Sequence, residues 1–386
     1  MGCGFHAIKV HRPDRIDVLQ DARELLAHHG LFGIVKAQPG EARNVADGGI
    51  VNHRRGTVAE PNMGDWYGRT VDAELDVIRR ITARVGVRGG VHIGIGDDAA
   101  VLDDGNVLAL DMVVDGVHVQ RSTHSPGDIG HTALAVNLSD IAAMGAKPVA
   151  AVVGLGLPDD FTADDVEQMY DAMEVLAASH GMSVAGGDIS ASPVLTLSVA
   201  IIGRTAHGVR PVLRSGARAG HRIVVTGALG GSAAGRAILD NPALGSGVPD
   251  ADALVACHLR PTPHVARGQH LAEAGAGAMM DISDGLLLDA DRLARASGLR
   301  AEIDLDRIPL AAGVAQVAAA TGHDPALFAA TGGEDYQLLA TLPPSTGISP
   351  GLTVIGHMTD GAPGVVALRD GGDVTPERLG WEHGRV

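Results

Sequence analysis

Residues Gly94-Ile-Gly-Asp-Asp-Ala-Ala-Val-Leu102 join alternate glycines to a pair of carboxylates, Asp97 and Asp98. Alternate glycines permit positive φ or a close approach of backbone to a ligand. Loops ending in Gly-Lys-Ser/Thr meet a phosphate with a cation of their own. This turn ends in negative charge, so it can hold a phosphate only through hard divalent cations, which carboxylate oxygens bind well. The chain has three lysines, Lys9, Lys36 and Lys147, so phosphate chemistry here must rest on metal, arginine and backbone N–H. Read alone, the turn is as readily an acidic surface loop.

Four further stations repeat the layout of acids at the ends of elements. They are Asp111 closing a strand, Asn137-Leu-Ser-Asp140 inside an apolar helix, Gly186-Gly-Asp188, and Asp281-Ile-Ser-Asp284-Gly285. Asp140 is the least ordinary, because burying an unpaired carboxylate costs several kcal/mol. Asn137 and Asp140 are three residues apart and share a helix face, a spacing suited to one metal. Each station has a plainer reading: a hydrogen-bonded acid at Asp140, a turn residue at Asp188, caps for the following helix at Asp281 and Asp284. Taken together, carboxylates from several elements can converge on two or more Mg²⁺ ions that carry phosphate oxygens. His118, Arg214 as a phosphate fork, and the acids of Gly332-Gly-Glu-Asp-Tyr336 are candidate substrate contacts, each weak alone.

Regular elements must position these residues. Helical periodicity covers 72–85, 130–144 and 162–180, and strand-like runs cover 106–111, 148–154, 183–185 and 194–202. The arginine-rich segment 205–221 is a candidate boundary. Beyond it come strands at 222–226, 301–305, 337–341 and 352–356, and helices at 233–239, 264–274 and 286–296. Mixed βα order of this kind predicts two α/β or α+β domains, 63–210 and 211–386. Residues 1–62 are polar and aperiodic after about Gln38. They read as a poorly ordered extension ahead of a candidate start at Met63, with a small accessory domain as the rival reading.

Composition bounds the function. A chain of 386 residues can bury two cores, and with 45% hydrophobic but 2% aromatic residues those cores are aliphatic. The net charge is −16, and residues 1–62 hold eight basic and seven acidic groups, so the acidity belongs to the remainder. Such a surface excludes nucleic acid and anionic membranes as partners, since both need basic patches. Two cysteines form no disulfide or zinc pattern. No apolar run has transmembrane length and no signal-peptide core begins the chain, so a cytoplasmic protein is expected.

With the stations in order, the chain resembles the thiamine-monophosphate kinases over about 73–383. These belong to a superfamily with aminoimidazole ribonucleotide synthase, selenophosphate synthase and a hydrogenase-maturation protein. The resemblance rests on Gly94–Leu102, Gly116-Val-His118, Ala135–Ala146, Gly186-Gly-Asp188, Val225-Thr-Gly227 with Gly231–Gly235, His258-Leu-Arg-Pro-Thr-Pro263, Asp281–Leu286 and Gly332–Tyr336. It implies a two-domain aminoimidazole ribonucleotide synthase-like α/β (α+β) fold. The N-terminal ATP- and metal-binding domain would pair with a second copy as a dimeric β-barrel, followed by a C-terminal α/β domain. It implies Asp98, Asp111, Asp140, Asp188, Asp281 and Asp284 as ligands of several Mg²⁺ ions. ATP would be touched by Gly187, Asp188, Arg214 and Ser283, and thiamine monophosphate by His118, Glu334 and Trp381. The implied reaction is ATP-dependent phosphorylation of thiamine monophosphate in a homodimer. The chain departs from the family's pattern at Ala109 and Leu110, where hydroxyl residues usually stand, at Ile189, at His383-Gly384, and in its first 62 residues. Two other readings stay open: a non-catalytic sensor of nucleotide or thiamine phosphate, and a sister enzyme such as selenophosphate synthase, for which Cys3 is badly placed.

Overall fold

The computed structural model describes residues 74–381, so the expectations for 1–62, Met63 and His383-Gly384 lie outside the described residues. The described part belongs to one compact unit built on two sheets. A short helix α1 (Glu74–Thr82) precedes the first sheet. That sheet contains β1 (Val91–Ile93), β2 (Ala100–Leu102), β3 (Asn106–Val114), β4 (Lys147–Leu157), β5 (Ser183–Ala191) and β6 (Thr196–Arg204), in the order β1-β2-β3-β6-β4-β5. It is open, and only β4 and β5 pair in parallel.

β3 follows from period-2 alternation. Val107, Ala109 and Val113 are buried, while Leu108, Leu110 and Met112 are exposed on the opposite face. The strand runs on to Val114 because Met112-Val-Val keeps that alternation. Asp111 therefore sits within the strand and does not close it as the sequence suggested. In β5, a side chain at Gly187 would place Cβ 1.9 Å from the Val153 carbonyl oxygen. The second glycine of Gly-Gly-Asp is thus demanded by close strand approach, quite apart from any ligand.

The buried face of this sheet carries α2 (Pro126–Ala143) and α3 (Ala163–Ser179). α2 starts one turn earlier than its apolar run predicts. Ser125 and Asp128 form a capping box and Pro126 occupies the first turn, where its missing N–H costs nothing. Nearly all of α2 is buried, Leu134, Leu138 and Ile141 completely.

The second sheet comprises β7 (Arg222–Val225), β8 (Ala278–Asp281), β9 (Arg300–Asp304), β10 (Leu338–Leu342), β11 (Thr353–Thr359), β12 (Gly364–Arg369) and β13 (Gly372–Asp373), in the order β13-β12-β9-β11-β7-β10-β8. β8, β12 and β13 were not foreseen. Helices α4 (Gly231–Asp240), α5 (Ala251–Leu259), α6 (Val265–Glu273), α7 (Leu286–Ser297), α8 (Val314–Ala320) and α9 (Pro325–Thr331) surround it. Its central strands are buried on both faces: Val224, Met279 and Ala340 join the core around α2, while Val225, Met280 and Leu339 join a second core beneath α7. The end of β8 is thereby pressed against α2, and this junction carries the acids.

Candidate active site

Asp98, Asp140 and Asp281 arrive from the β1–β2 turn, the last turn of α2 and the end of β8. Each offers a carboxylate oxygen within 4.8 Å of the others. Ser139 on α2 donates to Asp281 Oδ2 at 2.6 Å. The Arg214 guanidinium grips Asp98 Oδ1 through Nη2 at 2.6 Å and Nε at 3.2 Å, whereas the buried Asp98 Oδ2 has no hydrogen-bond partner among the described residues. Burial, then the charges of Asp111, Asp281 and Asp98, raise the Asp140 carboxyl well above its ordinary value. Burial and Asp98 do the same to Asp281. Asp111 is raised by burial and by Asp98 and Asp284, which places both in its field. A cluster of carboxylates in which Asp111, Asp140 and Asp281 are raised by burial and by neighbouring acids, with one orphaned buried oxygen, has the donor set a hard divalent cation requires. These residues fit Mg²⁺.

Asp97 has a different task. Its carboxylate accepts N–H from Asp98 at 3.1 Å and from Arg214 at 3.1–3.2 Å, stitching the glycine turn to the segment bearing the guanidinium. Burial and the Asp98 charge push its carboxyl up to about 6. Asn137, expected to share a metal with Asp140, is instead a structural pin. Its Oδ1 accepts the Asp111 N–H at 2.9 Å and its Nδ2 donates to the Ala133 carbonyl, fixing β3 on α2.

The Asp281–Gly285 turn is held from within α7 by a residue that sequence reading missed. Asp289 is fully buried, and its Oδ2 accepts N–H from Ser283, Asp284 and Gly285 at 3.0–3.1 Å. Its Oδ1 accepts from Arg292 at 2.8 Å, and the same Arg292 nitrogen reaches Asp284 at 2.5 Å. Asp281 and Asp284 therefore do not cap α7, whose N-cap Gly285 has no side-chain cap; Asp289 reaches back from within the helix to hold the turn before it. An acid amid the apolar run Leu286-Leu-Leu-Asp-Ala was the available signal.

The loop before β10 runs alongside this turn. Ile282 N–H donates to Gln337 O, Tyr336 N–H to Ile282 O and Glu334 N–H to Ser283 O. Glu334 and Tyr336 both adopt left-handed backbone, at φ 64° and 50°. Trp381 N–H donates to the Asp284 carbonyl at 2.8 Å, and its indole lies under the Arg378 guanidinium. Glu334, Ser283 and Trp381 are thus neighbours of Asp284. His118 Nδ1 accepts the Val114 N–H at 3.2 Å and lines a small cavity with His124 and His258.

Asp188 and Gly187 stand apart from the other acids. In register, Asp188 pairs with Gly154, Gly154 with Ser198, and Ser198 with Met112. Asp188 is therefore three strands, about 14 Å at the usual strand spacing, from β3, and on the face opposite Asp111. It lines an open cleft of ≈ 460 Å³ with Gly187, Tyr170 and Glu174.

Comparison with known proteins fits this geometry. Residues 96–205 match the AIR synthase related protein N-terminal domain and 218–368 its C-terminal domain. Thiamine-monophosphate kinase of Mycobacterium tuberculosis (strain H37Rv) is 39% identical over 316 residues, covering 80% of this chain and 91% of the relative. The Escherichia coli (strain K12) thiamine-monophosphate kinase is 38% identical over 325 residues, 80% of this chain and 98% of its own. A solved structure described as AaThiL complexed with AMPPCP and TMP aligns with TM-score 0.71 at 36% identity, over 81% of this chain and 97% of that one. The chain belongs to the thiamine-monophosphate kinase family of AIR synthase related proteins.

Proposed function

We propose that this protein transfers the γ-phosphoryl group of ATP to thiamine monophosphate, giving thiamine diphosphate and ADP. The observation that carries the reading is the convergence of Asp98, Asp140 and Asp281, with an orphaned Asp98 oxygen, in a chain related to these kinases. The acceptor is a phosphate monoester whose second pKa is about 6, so its attacking oxygen is anionic at neutral pH. It needs no general base, and none of the acids has to serve as one. The obstacle is repulsion between two polyanions. Asp98, Asp140 and Asp281, with Asp111 and Asp284 beside them, would hold Mg²⁺, which when bound would supply the neutralising charge. Arg214 adds a fixed cation. Burial works against its charge, yet Asp98 and the other acids outweigh that and keep it protonated. Its planar fork is suited to a phosphate.

Ser283, Gly187 and Asp188 contact the nucleotide, while His118, Glu334 and Trp381 receive the acceptor. Glu334 sets an anion against the thiazolium cation, and the Trp381 indole offers it a π face. Residues 63–210, which supply Asp98, Asp111, Asp140, Gly187 and Asp188, and residues 211–386, which supply Arg214, Asp281, Ser283 and Asp284, are the two halves of a cytoplasmic enzyme. Among the described residues, no helix is long and apolar enough to cross a membrane. The chain acts as a homodimer joined through the open face of the first sheet into a β-barrel. That face exposes Leu108, Leu110, Met112 and Val152 and also carries Asp188. Asp188 then serves the phosphates from the side that the second copy covers.

Purified protein with ATP, Mg²⁺ and thiamine monophosphate is expected to form thiamine diphosphate with inversion at phosphorus. Binding of both substrates without turnover marks a sensor, and turnover with another acceptor alone marks a sister enzyme; either result overturns the assignment.

A further inference from the structure

Glu334 sits on a loop fixed at both ends. Asp335, half-buried, accepts N–H from Gly230 at 2.6 Å and Ser232 at 3.1 Å, anchoring the loop to the start of α4. Glu334 and Tyr336 are tied by backbone hydrogen bonds to the Asp281–Gly285 turn. Between these anchors the Glu334 carboxylate projects with 37% of its side chain exposed. A glutamate has three rotatable bonds, so a fixed backbone alone does not aim its oxygens.

His258 supplies the aim. Its side chain is 3% exposed, and Nδ1 lies 3.3 Å from Glu334 Oε2 and 3.1 Å from Ser232 Oγ. A proton on Nδ1 is directed at both oxygens, whereas a bare Nδ1 would set a lone pair against the carboxylate. The ring is itself held. Its edge meets His124 at 5.3 Å between centroids and 71° between planes. Burial and the neighbouring His258 keep the His124 imidazole below its ordinary value, so that contact is with a neutral ring at neutral pH. The residues after His258 are fastened to α2: Thr132 Oγ donates to Leu259 O at 3.1 Å, His131 Nε2 meets Pro261 O at 2.9 Å, and Arg260 Nε meets Asp128 at 2.5 Å. This strap fixes the His258 backbone, while burial and the His124 edge confine its ring.

We propose that His258 is a positioning residue for Glu334, holding Oε2 so that Oε1 is presented to the cationic end of the acceptor. The inference rests on the substrate role given to Glu334 above and adds a residue to it. Freeing a long side chain that must be immobilised on binding weakens binding roughly five- to tenfold. The effect falls on the acceptor and not on the nucleotide.

Two variants of nearly equal polarity separate aim from packing. His258→Asn places an amide N–H near the position of Nδ1, and His258→Gln places it near Nε2. His258→Gln is expected to raise KM for thiamine monophosphate roughly five- to tenfold, with KM for ATP unchanged. His258→Asn restores most of that loss although it leaves the larger void. The double variant with Glu334→Gln is expected to be no worse than Glu334→Gln alone. Equal defects in the Asn and Gln variants, or losses that multiply in the double variant, overturn the positioning role. An unchanged acceptor KM in Glu334→Gln overturns the substrate role of Glu334 itself, and the inference with it.

Discussion

Two sets of buried and half-buried carboxylates lie within one fold and meet opposite fates. Asp289 and Asp335 are surrounded by donors: three backbone N–H groups and Arg292 at the first, the N–H groups opening α4 at the second. Burial still pushes both up to about 7, but those donors work against it. Asp98, Asp140 and Asp281 are arranged the other way. Burial raises Asp140 and Asp281, neighbouring carboxylates raise them further, and Asp98 keeps an oxygen with no partner among the described residues. A chain able to deliver three N–H groups to one carboxylate has the means to satisfy acids. Leaving three others facing one another is a retained strain, and such strain marks a ligand site. The difference separates acids that build the loop from acids that await a cation.

Removing one acid from each set sharpens the contrast. Asp140→Asn is expected to lower kcat on the order of 10³-fold, the scale of losing a preorganised electrostatic contact. The metal-free variant should nonetheless melt higher than the parent, since one of the raised charges is gone. Asp98→Asn should behave alike in activity. Steady-state kinetics with calorimetry in chelator would check both. Full activity in either variant, or a lower melting point for metal-free Asp140→Asn, breaks the distinction.

Asp289→Ala tests the other side. It orphans three backbone N–H groups and strips Arg292 of one partner, and breaking a buried charged network of this kind costs about 3 kcal/mol. Denaturant unfolding should register the whole of it. A loss below about 1 kcal/mol, the worth of a single ordinary hydrogen bond, would mean the Asp289 network is not what holds the turn.

Much of this is legible in the sequence. The Gly-Asp-Asp turn, Asp140 in its apolar helix and the Asp281–Asp284 turn stand out because charge is costly where the pattern says buried. Arg214 stood out as a candidate phosphate fork, but not as the partner of Asp98 that the structure makes it. What escaped was the supporting set. Asp289 and Arg292 serve a turn within eight residues of them and read in the sequence as ordinary members of α7, whereas Ser139 acts on Asp281 from 142 residues away and His258 meets Ser232 from 26. One-dimensional spacing does not report such pairs. Asn137 misled for the same reason, since helix periodicity put it beside Asp140 but could not disclose that β3 would claim its amide. The first turn of α2 was hidden by Pro126-Gly127, which reads as a break until Ser125 is recognised as its cap.

The smallest effect discriminates most finely, because it asks both sets the same question. Asp140 and Asp281 bind protons more readily folded than unfolded, since their folded values lie above the ordinary one near 3.8. Metal-free stability therefore falls as pH rises above about 4. Asp289 and Asp335, raised to about 7, add to the same decline up to neutral pH. Mg²⁺ binds only the deprotonated cluster and competes with its protons. The gain in melting temperature at fixed Mg²⁺ should therefore be larger near pH 8 than near pH 5.5, on the order of 2 °C for each kcal/mol of added binding. Asp140→Asn should flatten that dependence, because it removes a titrating ligand. The share of the decline due to Asp289 and Asp335 should persist with Mg²⁺ present, as their oxygens are occupied by N–H. A gain independent of pH, or a decline that Mg²⁺ abolishes entirely, would show the two sets of acids to be one.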